Sequence, residues 1–158
     1  MEFSGSEILP AAPEAVWAEL VRAETLCACI PGCVAMSGSA EDGFDTTVEV
    51  KIGPFKPRFQ GVMAMRDARY PSHYRIVGAG RGGKAGFAGG ETEVRLEALP
   101  EGRTCLHYTV TAGPGGRLAK FGAPVVEAVA QHITAGFFER LAAHLAPADP
   151  PQNANDPA

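Results

Sequence analysis

Hydrophobic and polar positions along this chain follow two periods. Near the C-terminus Phe121, Val125, Val129, Ile133, Phe137, Leu141 and Leu145 recur every fourth residue, which is helical spacing. Four residues advance about 400°, so the row drifts about 40° per step. The inner face therefore rotates along the helix. With Val129 at its centre, Leu118, Gly122, Val125, His132, Ile133 and Gly136 fall on its side. Lys120, Glu127 and Gln131 fall roughly opposite, and so does Phe138, beside Leu141 and Leu145. The end of the helix thus carries a second apolar face. It is either covered by the sheet edge or the first strand, or it is a docking patch for a partner or membrane. Pro124 predicts a kink, or a short first turn and a longer helix from about Pro124.

Before this helix the period is mostly two. Phe3–Leu9 alternates weakly and stops at Pro10, which predicts a first strand. Pro13 then opens a short helix with Val16, Trp17, Leu20 and Val21 on one face. A second short helix over Ala23–Cys29 ends at Pro31-Gly32. Strands are predicted at Val34–Ser39, at Phe44–Ile52, from Phe55 to about Asp67, at Tyr74–Gly80, at Phe87–Leu99 and at Thr104–Ala112. Phe55, Phe59, Met63 and Met65 share one face of the third of these. Val94 and Leu96 face away from Glu91, Glu93, Arg95 and Glu97. Leu106, Tyr108 and Val110 face away from Cys105, His107 and Thr109. Strands followed by one long helix predict an α+β fold, a curved antiparallel sheet of about seven strands around a C-terminal helix. Two short helices follow strand 1. That order matches a helix-grip architecture, which commonly leaves an apolar cavity between sheet and helix.

Composition narrows the function. The 158 residues predict a single domain over 1–146 and a disordered, proline-rich polar tail over 147–158. A net charge of −4 gives no footprint for nucleic acid. No signal peptide or membrane-spanning run is visible, which predicts a soluble, cytoplasmic chain whose four cysteines are thiols.

Three constellations invite chemistry. Gly78, Gly80 and Gly83 fit G-x-G-x-x-G, but Gly86, Gly89 and Gly90 make the required following helix poor. Two bent strands joined by a flexible hairpin fit better, with glycines leaving room in the interior. Cys27, Cys29 and Cys33 do not have the usual zinc spacing and Cys105 is distant in sequence, so no metal is expected at any of the four cysteines. His132 lies about 60° from Val129 and is either a donor to a polar ligand head or a solvated histidine at the edge of the face.

Several motifs stand in order: Cys29-Ile-Pro-Gly-Cys33, Lys51-Ile-Gly-Pro54 with Phe59-Gln-Gly61, the glycine-rich run from Gly80 to Gly89, and Gly115 to Gly122. Across about residues 2–146 the chain resembles the CoxG family, which takes its name from carbon monoxide dehydrogenase. That family belongs to the helix-grip (START/SRPBCC, Bet v 1-like) superfamily of hydrophobic-ligand binders. The resemblance implies a non-catalytic accessory of a molybdenum hydroxylase of the carbon monoxide dehydrogenase type. It also implies a quinone or other lipid-like ligand, no covalently bound cofactor, and a link to the inner membrane. With the tail of this chain polar, membrane contact would be peripheral.

The expected ligand-binding residues are Phe55, Phe59, Met63, Met65, Phe87, Phe121, Val125, Val129, His132, Ile133 and Phe137. The expected gate is the hinge at Pro31 and Gly32 together with the hairpin at Gly82 and Gly83, where Arg81 and Lys84 could meet lipid head groups or the partner enzyme. The alternatives are ordinary surface loops, a cyclase- or hydratase-like enzyme using the same cavity, and an assembly factor with no ligand.

Overall fold

In a computed structural model, which describes residues 1–51, 53–82, 87–115 and 123–147, the period-two segments pair into one curved antiparallel sheet. Its strands are β1 (Glu2–Leu9), β2 (Cys33–Ser39), β3 (Gly43–Glu49), β4 (Arg58–Arg69), β5 (His73–Arg81), β6 (Phe87–Leu99) and β7 (Arg103–Gly115). The spatial order is β1-β7-β6-β5-β4-β3-β2. β2 through β7 are consecutive neighbours, whereas β1 crosses to the far side of β7. The crossing is made by α1 (Pro13–Leu20) and α2 (Ala23–Cys29), and α3 (Ala123–Leu145) follows β7. This is the helix-grip arrangement of one sheet, two short helices after the first strand, and a terminal helix. No helix among the described residues is long and apolar enough to cross a membrane.

Side chains opposite one another across paired strands lie on the same sheet face. The concave face takes Leu96 opposite Leu106 and Val94 opposite Tyr108. Val16, Trp17 and Leu20 of α1 and Phe138 and Leu141 of α3 close over that face. Burying each such side chain contributes about 1.5–3 kcal/mol. Tyr108 stacks on Phe138 with ring centroids 4.8 Å apart, tying β7 to α3. Trp17 meets Tyr74 edge-on at 5.1 Å. The second apolar face of the long helix is thereby settled as core: Phe138 and Leu141 are buried, and Leu145 packs against the same cluster.

The strands differ from the alternation in the sequence chiefly at the β3–β4 connection, and β7 runs past Ala112 to Gly115. β3 stops at Glu49 and β4 starts only at Arg58. The Val50 N–H donates to the Pro57 carbonyl at 2.9 Å, closing a loop around Gly53-Pro54. Prolines 54 and 57 offer no N–H to a ladder, which disfavours continuous pairing over this stretch. Phe55 is therefore on the loop and 57% exposed. The glycine-rich strands meet glycine to glycine, Gly61 opposite Gly80 and Gly78 opposite Gly90. The long helix is described from Ala123, beside Pro124; the stretch that would distinguish a kink from a short first turn lies outside the described residues.

Candidate functional site

The N-terminal half of α3 borders open space. A cleft of about 550 Å³ lies between Ala128, Val129, His132 and Ile133 of α3, the turn at Pro31-Gly32, and Glu49, Val50, Lys51 and Lys56 at the β3–β4 loop. That volume falls within the usual range for small-molecule sites. Among the described residues it is open to solvent on one side rather than sealed.

Each wall has a local cause. Ile30-Pro31-Gly32-Cys33 is a turn in which the Cys33 N–H donates to the Ile30 carbonyl at 3.1 Å. Pro31 takes the first central position, and Gly32 takes the second at φ +83°, the arrangement of a type II turn. A Cβ at Gly32 would also collide with the Glu49 carbonyl oxygen. The Glu49 N–H donates to the Gly32 carbonyl at 2.8 Å, fixing the turn to the end of β3. Gly136 lets the turn approach α3, because a Cβ there would lie 2.7 Å from the Pro31 ring. The β3–β4 loop is pinned at its base by the Val50–Pro57 hydrogen bond and by Arg58 paired with Glu49 at 3.3 Å.

Pro31, Val50, Val129 and Ile133 make the walls apolar. Lys51, Lys56 and the exposed His132 add donors. The acid in the lining, Glu49, already has its Arg58 partner. The cleft therefore suits a largely apolar molecule whose polar end accepts hydrogen bonds.

Of the residues singled out in the sequence, Val129, His132, Ile133, Pro31 and Gly32 come together here. Phe59 and Met63 lie on the concave sheet face opposite Val48 and Phe44, outside this lining. Met65 and Phe137 pack against the core. Phe55 is on the exposed loop. Gly82 follows β5 beside the Phe59 ring, which a Cβ there would meet at 2.8 Å. Phe87 begins β6 and Val125 lies in the first turn of α3. Phe121, Gly83 and Lys84 lie outside the described residues. Lys51, Lys56, Glu49 and Val50 were missing from that set.

The cysteines divide. Cys29 is buried in the core, and that burial pushes its thiol pKa up. Cys27 lies beside Cys33, whose thiol hydrogen-bonds it; that contact, burial and charge repulsion from Cys33 push Cys27 up to about 11. A thiolate is disfavoured at both.

The comparisons with known proteins bear on the fold and the family. A conserved protein from Geobacillus kaustophilus superimposes with a TM-score of 0.84 at 28% identity, covering 92% of this chain and 95% of that one. A START superfamily protein from Mycobacterium smegmatis superimposes at 0.67 with 14% identity, over 91% and 96% of the two chains. The Zhui aromatase/cyclase from Streptomyces sp. R1128 does so at 0.65 with 15% identity, over 92% and 93%. The last two show likeness of fold alone. No curated protein matches the sequence. The sequence does match one family, the carbon monoxide dehydrogenase CoxG family, over residues 5–146, so nearly all of the described structure is the family's domain. On that match, the chain belongs to the CoxG family.

Proposed function

We propose that this chain is a non-catalytic carrier that takes a hydrophobic ligand of the quinone class into the cleft beside α3. In this reading it serves a molybdenum hydroxylase of the carbon monoxide dehydrogenase type and links that enzyme to the membrane through peripheral contact. Family membership supports the accessory role. The observation that carries the ligand is the cleft itself: apolar walls from Val50, Val129 and Ile133 with Lys51, Lys56 and His132 as donors. A quinone has a flat apolar ring, an apolar tail and carbonyl oxygens that only accept hydrogen bonds, which fits that lining. Affinity comes from buried apolar area, at about 25 cal/mol per Å² before the costs of association.

A second reading is an enzyme, since one structural neighbour is named an aromatase/cyclase. Its acid or base would come from Lys51, Lys56 or His132, and all three are exposed. General acid–base chemistry gains most where water is excluded, so their exposure favours the carrier.

Native mass spectrometry of the purified protein, paired with organic extraction, tests the proposal. The carrier reading expects a one-to-one adduct that extracts as an isoprenoid quinone. Protein that is empty as purified and stays empty after incubation with a short-chain quinone contradicts it. Turnover of an extracted ligand by the protein alone would favour the enzyme.

A further inference from the structure

The convex face of the sheet, opposite the cleft, carries a donor cluster that the carrier function does not use. Glu97 of β6 stands directly across from Cys105 of β7, and His107 lies two residues further along β7 on the same face. One ligand atom from each of the three lies within 4.8 Å of the others. His107 Nε2 and Glu97 Oε1 are already 2.9 Å apart. Cys105 and His107 are half-buried, while Glu97 is exposed. The neighbours on this face are Arg95 opposite His107, and Ile8 and Ser6 of β1 opposite Cys105 and His107.

We propose that Glu97, Cys105 and His107 bind one thiophilic divalent transition-metal ion of the zinc class. Donor chemistry decides the class. A thiolate and an imidazole select zinc-like ions over magnesium or calcium, which take oxygen donors. Tetrahedral zinc bonds of about 2.0–2.3 Å place ligand atoms roughly 3.3–3.6 Å apart. Side-chain rotation on a fixed strand pair closes the remaining ångström. Three protein ligands leave the fourth position open to water. On binding, the Cys105 thiol gives its proton to solvent and its sulfur lone pair to the metal. Thiolate and carboxylate then balance the two charges of the ion.

The test uses the full chain, stripped with a chelator and titrated with Co²⁺ as probe. The expected result is one equivalent bound, with a sulfur-to-cobalt charge-transfer band and tetrahedral ligand-field bands that zinc bleaches. Cys105→Ser should remove the charge-transfer band. Glu97→Gln and His107→Gln should each weaken Co²⁺ binding by at least about tenfold, since losing even a partner that orients a ligand costs that much. None of the three side chains belongs to the core, so the folded far-ultraviolet circular dichroism should persist in every variant. A band that survives Cys105→Ser would assign the metal to Cys27, Cys29 or Cys33 and overturn the proposal. No charge-transfer band, or unchanged affinity in the Glu97 and His107 variants, would also overturn it.

Discussion

From Phe138 to Leu145, α3 shares one buried cluster with Leu106, Leu96 and the α1 residues Val16, Trp17 and Leu20, and Leu141 is fully buried. From Ala128 to Ile133 the same helix faces a cleft of about 550 Å³ bordered by a turn and a loop. Both stretches carry apolar side chains at helical spacing. What differs is the opposite wall. At one end the sheet's large side chains and α1 meet the helix directly. At the other, Pro31 touches α3 at Gly136 and the β3–β4 loop arches away through Val50–Pro57. An apolar helix face becomes core or binding site according to what the rest of the chain places across from it.

The comparison breaks most visibly at the packed end. Leu141→Ala should cost about 2–5 kcal/mol in denaturant unfolding, because the cavity it leaves is surrounded by rigid core. Gly136→Val forces the Pro31 ring off the helix where the two halves meet. It should cost about 1–3 kcal/mol and raise amide exchange at Pro31's neighbours Gly32 and Cys33. Val129→Trp, by contrast, should change stability by less than about 1 kcal/mol, since the cleft has room for the ring that a core would not. The same variant should lose the ligand adduct in native mass spectrometry. A stability loss as large as that of Leu141→Ala would mean that the cleft end is packed core.

The smallest effect concerns pH at the packed end. The Thr25 hydroxyl, at 2.6 Å, holds the Glu19 carboxyl below its ordinary value of 4.5, helped by His144 and Arg22 and opposed by burial. A depressed folded value means that the contribution is complete above pH 4.5 and fades as the pH falls through the lower folded value. Glu19→Gln should therefore cost under about 1 kcal/mol near neutrality, and its difference from the parent should vanish in acid. Thermal melts at several pH values measure this, while ligand binding at the cleft should not follow Glu19.

Much of the architecture was legible because strand alternation, turn dipeptides and helical spacing are local. The rotation of the apolar face along α3 was legible too. Which half would be covered was not, because that depends on where α1 and β1 come to rest. Phe55 shares parity with Phe59, but parity holds only while a strand continues, and Pro54 and Pro57 disfavour that. Lys51 and Lys56 were missed for the same reason: their loop closes through the Val50–Pro57 hydrogen bond, which alternation does not reveal. Two lysines flanking Gly53-Pro54 just past a strand end were the available clue. The Glu97–Cys105–His107 cluster needs a register. Counting outward from the Pro100–Gly102 turn pairs Leu99 with Arg103, and hence Glu97 with Cys105.

The central claim is that one half of α3 binds ligand and the other half is core. Hydrogen exchange of the full chain, with and without a saturating short-chain quinone, tests it most directly. The account predicts new protection at residues 128–133 of α3, at the 31–33 turn and at residues 49–51, with residues 138–145 already protected and unchanged. Quinone binding that protects other segments, and leaves 128–133 exchanging at the same rate, would contradict it.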